Sequence, residues 1–176
     1  DDEKTIIEKY LSDGGKVYLI LGDTTSDTPN LDGIMSDYGL KKVSGYIADT
    51  QRCYQGNYYA IFPQLSLSGD LGSGISNQMV LLLNSPGMEK TDTDNDNLTV
   101  TPFMQTSDSG YAVTENDQTQ GQYILGAVST NAISADSSDS DSEDEDDESD
   151  ATDTDTKTAR LTVLASASMI SSDITD

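Results

Sequence analysis

The groups able to do chemistry in this chain are few, and one absence sets the first limit: none of its 176 residues is a histidine. That removes Ser-His-Asp and Cys-His nucleophilic catalysis, His-ligated zinc and imidazole general-base chemistry. The single cysteine, Cys53, has no second thiol for an internal disulfide or a Cys-rich metal site. It sits in the segment QRCYQGNYY, where no base is at hand to take its proton, so it reads as a structural thiol. Carboxylates remain. Asp92, Asp94 and Asp96 fall at positions one, three and five of a calcium loop, the spacing that lets alternate oxygens converge on one hard cation. Position six is Asn97 where glycine is expected, and asparagine tolerates the left-handed turn. Position twelve is Phe103 in place of the bidentate glutamate. The motif therefore reads either as a low-affinity Ca²⁺ site or as a solvated hairpin loop, and no other cofactor is expected.

Two polar segments are candidates for binding. In TSDSGYAV, residues 106–113, Asp108 and Gly110 supply turn chemistry, while Thr106, Ser107 and Tyr111 are placed to line a rim where a ligand or partner docks. In DTTSDTPN, residues 23–30, Asp23, Thr24 and Thr25 leave the end of an apolar run, the place where ligands collect in open α/β sheets. Gly69, Gly72 and Gly74 form G-x-x-G-x-G, which is not the dinucleotide order and reads as a flexible loop.

The elements that would position these groups begin with a helix. Ile6, Ile7, Tyr10 and Leu11 recur at helical spacing behind acidic Asp1 and Asp2, and Gly14-Gly15 offers a left-handed stop. KVYLILG at 16–22 is a continuous apolar run, as in a strand buried on both faces. A second helix is expected at 31–39, with Asn30 as cap and Gly39 as stop. Strands follow at 41–49, 57–64, 79–85, 98–107, 122–129 and 160–166, with Pro102 marking an edge or irregular position. The order helix, strand, helix, strand predicts a layered α/β domain with a β-rich second half.

Residues 134–157 interrupt this pattern with twelve acids, one base and no aromatic or branched aliphatic side chain. Such a stretch buries too little to offset a backbone ordering cost of about 1–2 kcal/mol per residue, so it is expected to be a disordered insertion in a single domain formed by 1–133 and 158–176. With 32 acids against 9 bases the formal net charge is −23, which argues against nucleic acid and anionic lipid as partners. The abundance of Tyr, Ser, Thr, Asp and Asn with few Lys suggests an exported protein. No run of 18 apolar residues is present, so any membrane anchors are expected outside this fragment.

The frame YLSDGGKVYLILGD, LDGIMSDYGLKK, GYIAD, LTVTPFMQTSDSGYAV and ARLTVLASASMISSD, in that order, resembles the soluble domain of GldG-type ABC-transporter auxiliary proteins. The resemblance implies a fold like flavodoxin or class I glutamine amidotransferases, with this fragment lacking the first strand. It implies an extracytoplasmic location, tethering to the cell membrane, and partnership with an ABC-2 type permease and ATPase or a sister auxiliary subunit. No amidotransferase chemistry comes with it, because Cys53 has no histidine. The function expected is a non-catalytic binding component of such a system. The alternatives are a cell-surface glycan-binding or adhesive module, or a glycosidase using paired carboxylates alone.

Overall fold

A computed structural model describes residues 2–22, 27–67, 79–133 and 157–170. The first helix, α1, spans Asp2–Ser12, with Asp2 and Glu3 in the first turn and Lys9 in the last, the polarity its dipole favours. It ends where Gly14 turns to φ +88, with Gly14 and Gly15 donating back to the carbonyls of Leu11 and Tyr10. α2 spans Pro29–Asp37 and starts two residues before the expected position, because proline fits the first turn of a helix. It stops at Gly39, φ +72.

The layered α/β expectation is wrong. Strands make up 47% of the described residues and helices 18%, and α1 and α2 are the only α-helices among them. A parallel layered sheet needs a crossover of a dozen or more residues, usually a helix, between successive strands. Here, among the described residues, no α-helix follows residue 39, and the later strands whose connections are described are joined by turns and short loops. Thirteen strands are described. β1 (Lys16–Ile20), β2 (Leu40–Val43), β6 (Gln64–Leu65), β8 (Gly87–Lys90), β9 (Leu98–Gln105), β12 (Ile124–Ile133) and β13 (Lys157–Leu164) form a seven-stranded mixed sheet. Its parallel pair is β1 with β13; the other pairs are antiparallel. β3 (Tyr46–Asp49), β10 (Gly110–Val113) and β11 (Gln118–Gln120) form a second sheet. β4 (Cys53–Tyr54), β5 (Asn57–Ile61) and β7 (Leu82–Leu83) form a third.

β12 is the spine. It pairs with β13 along one edge and with β9 along the other, and Ile124 also reaches Met88 of β8. Its pairing with β9 shifts register around Gly126, beside Pro102. The core gathers Leu125 and Ala127 of β12, Leu161 and Val163 of β13, Ile34 and Met35 of α2, and Leu40, Ile47, Leu82 and Met88, all at or below 4% exposure. Each large side chain among them contributes about 1.5–3 kcal/mol by leaving water. α2 is tied down by the buried Ser129 hydroxyl, which donates to the Tyr38 carbonyl at 2.7 Å.

Ile133 and Lys157 are register partners at the open end of the β12–β13 pair, so the chain leaves and re-enters the sheet at neighbouring positions. The intervening 134–156, which holds the expected acidic insertion, lies outside the described residues. The segment read as one strand at 41–49 is two. The backbone breaks at Ser44–Gly45, and β2 and β3 join different sheets. No helix among the described residues is long and apolar enough to cross a membrane.

Candidate functional site

Asp49, at the end of β3, is the organising residue of the candidate site. It is completely buried, and its carboxylate accepts four hydrogen bonds. Oδ1 takes the backbone N–H groups of Gln51 and Arg52, both at 2.9 Å, and the Ser107 hydroxyl at 2.8 Å. Oδ2 takes the Ser107 N–H at 2.7 Å. The first two bonds are the local turn an aspartate makes with the backbone two and three residues on; the other two reach 58 residues along the chain. Burial pushes the Asp49 carboxyl upward, but the donors from Ser107, Arg52 and Gln51 prevail and hold it below the ordinary aspartate value. The group is thus a buried anion that is kept ionised.

This latch fixes the 50–52 loop and aims Arg52. The Arg52 Nε donates to the Phe62 carbonyl at 2.7 Å and Nη2 to the Pro63 carbonyl at 3.4 Å, while the Arg52 carbonyl accepts the Phe62 N–H at 2.8 Å. Two of the five guanidinium N–H groups are used in this way, and among the described residues the others have no acceptor. Arg52, Gln51 and Cys53, with Pro63, Leu65 and Val80, line an open pocket of about 430 Å³. Exposed Met79 lines it as well.

Next to the pocket is the β4–β5 hairpin. Its two turn residues, Gln55 (φ 49) and Gly56 (φ 79), both take the left-handed conformation that a two-residue hairpin with the right strand twist requires. The hairpin presents Tyr54 and Tyr58 to solvent, 45% and 50% exposed, and Tyr54 meets the Phe62 ring edge-on at a centroid distance of 6.1 Å. A fixed cation, apolar lining side chains and exposed aromatic rings can hold a carboxylate or other anionic group attached to an apolar body.

The binding residues expected from the sequence fall in different places. Ser107 is buried against Asp49. Thr106 is also buried, and its Oγ1 accepts the Tyr123 N–H at 2.9 Å. Both hydroxyls serve the interior, so neither forms a rim. Tyr111 is half-buried on β10, paired with Gln120 and Ala48. Asp23, Thr24 and Thr25 lie outside the described residues, as does the Gly69–Gly72–Gly74 loop. Asp92, Asp94 and Asp96 are exposed, and no group of three metal-ligating side chains is brought together among the described residues. Asn95 shapes that loop: its Oδ1 accepts the Asn97 N–H at 3.0 Å and its Nδ2 donates to Asn131 Oδ1 at 3.2 Å.

Asp49 is not among the residues the sequence motifs single out, although the sequence carries a signal for it: an aspartate closing an apolar run and followed by the polar Thr50-Gln51-Arg52, the pattern of a side-chain-capped turn.

No protein-family model matches the chain, and no curated protein matches it. A solved structure does. The chain is similar to the mmIFT52 N-terminal domain with a TM-score of 0.56 over 98% of its own length, at 12% identity. It spans 62% of that chain. At this identity the likeness shows a shared fold and nothing about activity.

Cys53 is half-buried in the pocket wall as a free thiol. Glutamine hydrolysis dependent on this thiol is expected to be absent. An assay of wild type against Cys53→Ser checks this, and turnover that the substitution abolishes would refute it.

Proposed function

We propose that this chain is a non-catalytic binding module, acting as an extracytoplasmic auxiliary component of an ABC-type transport system. The observation that carries the binding role is the Arg52 guanidinium, held by two backbone carbonyls on the wall of an open pocket and aimed by a buried, ionised aspartate. In a chain of net charge −23, a cation placed so firmly, with donors that have no acceptor among the described residues, favours an anionic group on its partner. The transport setting rests on the order of motifs shared with GldG-type auxiliary proteins, and its partner is a permease, an ATPase or a sister auxiliary subunit.

Co-expression with the cognate permease and ATPase, followed by affinity purification, tests the reading. Wild type is expected to co-purify with them. Arg52→Glu is expected to reduce recovery at least tenfold while circular dichroism stays unchanged, about 1.4 kcal/mol or more of lost binding. Equal recovery with Arg52→Glu and the milder Arg52→Gln would remove the pocket from the interface.

A glycan-binding reading is favoured by one observation, the exposed Tyr54 and Tyr58 on the hairpin, since flat rings stack on sugar faces. It predicts retention on surface polysaccharide that Tyr54→Ala and Tyr58→Ala abolish and Arg52→Gln leaves intact.

A further inference from the structure

β1 is a terminal strand of the seven-stranded sheet, and among the described residues its outer edge is guarded only by a single lysine at one end, Lys16. A free edge is a row of unpaired N–H and C=O groups, and proteins guard such edges by shortness, charge, proline or cover. The other edges here follow that rule. β4, β6 and β7 are two residues each, and Pro63 directly precedes β6. β2 carries Lys41 and Lys42. β11 is the wholly exposed Gln-Thr-Gln. β3 is covered where the Ile47 N–H donates to the Ser85 carbonyl at 2.9 Å. β1, by contrast, is Lys-Val-Tyr-Leu-Ile, with no proline and an unshifted register on β13. Among the described residues no strand pairs with its other side.

The phase of the β1–β13 ladder identifies the groups that are free. The Gly15 carbonyl accepts the Arg160 N–H and the Leu21 N–H donates to the Leu164 carbonyl. Odd-numbered residues therefore turn their backbone groups to β13, and those of Lys16, Tyr18 and Ile20 face the open edge. Their side chains share one face of the sheet. Tyr18 is 60% exposed and Ile20 half-buried on that face. Exposed Lys16 stands in register beside exposed Arg160, and neither is in an ion pair among the described residues.

We propose that the free edge of β1 is a strand-addition site for an extended segment of a partner protein that places a carboxylate beside Lys16 and apolar side chains beside Tyr18 and Ile20. Only another strand matches alternating donors and acceptors at the spacing of Lys16, Tyr18 and Ile20. The Lys16–Arg160 pair sets the charge of its side chain at that end. Charges farther than about 8 Å are largely screened at physiological ionic strength, so these two cations outweigh the distant net charge for a short segment seated here. A second copy of this chain fits less well. Antiparallel pairing about a two-fold axis at Tyr18 sets Lys16 opposite Ile20, gives the cations no counter-charge, and brings together two chains of −23 each. This site is separate from the Arg52 pocket and does not depend on it.

The test uses the full 176-residue chain and capped seven-residue peptides, Thr-Glu-Thr-Val-Thr-Val-Thr and its reverse, to cover parallel and antiparallel addition. Lysine-for-glutamate versions of both serve as controls. The readout is residue-resolved amide hydrogen exchange with millimolar peptide. Without peptide, the Tyr18 and Ile20 amides are expected to exchange fast, while those of Val17 and Leu19, bonded to β13, are slow. One of the glutamate peptides is expected to slow Tyr18 and Ile20 at least tenfold, and the lysine versions are not. Lys16→Gln, a milder change at an exposed position, is expected to weaken that preference because Arg160 remains, and Lys16→Glu, which pairs with Arg160 and neutralises the site, is expected to erase it.

Three outcomes would overturn the proposal. One is unchanged Tyr18 and Ile20 exchange with every peptide. Another is equal protection by the glutamate and lysine versions. The third is slow exchange of Tyr18 and Ile20 without peptide: a doubled mass by light scattering would then assign the edge to a second copy, and an unchanged mass would assign it to this chain's own residues.

Discussion

Replacing Asp49 by alanine is expected to cost about 3–5 kcal/mol of folding stability, the range for breaking a buried charged network by deleting one partner. The substitution strands the N–H groups of Gln51, Arg52 and Ser107 and the Ser107 hydroxyl, four donors that converge on one carboxylate. For a domain of this size the loss corresponds to a fall in Tm of about 6–20 °C. Asp49→Asn is the sharper probe. Its amide oxygen can replace Oδ1, but its NH₂ then faces the Ser107 N–H across the position where Oδ2 accepts at 2.7 Å. A loss of about 2–3 kcal/mol is expected from that opposed pair of donors. The penalty should also depend on pH in a defined direction. The folded-state carboxyl of Asp49 lies below the ordinary 3.8, so its contribution is complete above that value and is lost as pH falls through the lower, folded-state value. The stability gap between wild type and Asp49→Asn, measured by urea unfolding, is therefore expected to be flat from pH 7 to about 5 and to narrow below about 4. A gap under about 1 kcal/mol at pH 7, or one that widens in acid, would show that the latch does not hold the 50–52 loop.

Gly45→Ala is expected to be as damaging for a different reason. Gly45 has φ +84, a conformation that disfavours any side chain by about 1–2 kcal/mol. The larger problem is space: an added Cβ would lie 2.0 Å from the Val113 carbonyl oxygen and 2.6 Å from its carbon. Those atoms belong to β10, which is locked to β3 at Tyr46–Val113 and, three pairs on, at Asp49–Gly110. Relief would pull apart the ladder that delivers Asp49 to Ser107. A cost above about 3 kcal/mol is expected. Gly56→Ala is the control, since Gly56 has φ +79 but nothing within 4 Å of an added Cβ. It is expected to lose about 1–2 kcal/mol, the conformational part alone. Equal losses at the two glycines in thermal unfolding would contradict the close approach at Gly45.

The Asp49 and Gly45 effects belong to one piece of construction, since the β3–β10 ladder sets the latch and the latch sets Arg52. Damage at either glycine or aspartate is therefore expected to weaken partner binding as well as stability. A direct Arg52 substitution separates the two, because its contacts to Phe62 and Pro63 lie at the pocket wall. The strand-edge site on β1 draws on other elements, and Asp49→Asn under conditions where it remains folded should leave peptide protection of Tyr18 and Ile20 unchanged.

Several features of this protein are set by neighbouring residues alone, and these were legible in its sequence. α1 forms where Ile7 and Leu11 repeat at helical spacing, and it ends at Gly14 because a left-handed residue closes its last turn. Gly39 ends α2 in the same way. β12 and β13 form where apolar runs flank the acidic stretch. The lack of histidine limits the chemistry wherever the chain folds. The fold class was decided elsewhere. Two early helices pointed to α/β layering, but whether a strand finds its neighbour through a helical crossover or a turn depends on pairing between distant segments, which local periodicity does not encode. The break at Ser44–Gly45, which sends β2 and β3 to separate sheets, has the same origin. So does the inward turn of Thr106 and Ser107, which read as rim residues because polar side chains near glycine usually face water. They are buried because Tyr123 and Asp49 supply the hydrogen bonds that water would otherwise make. KVYLI read as a strand covered on both faces because an apolar run records only hydrophobicity. Its place at the end of the sheet, with Tyr18 in solvent, is a property of strand order, and strand order is fixed only when the whole chain closes around β12.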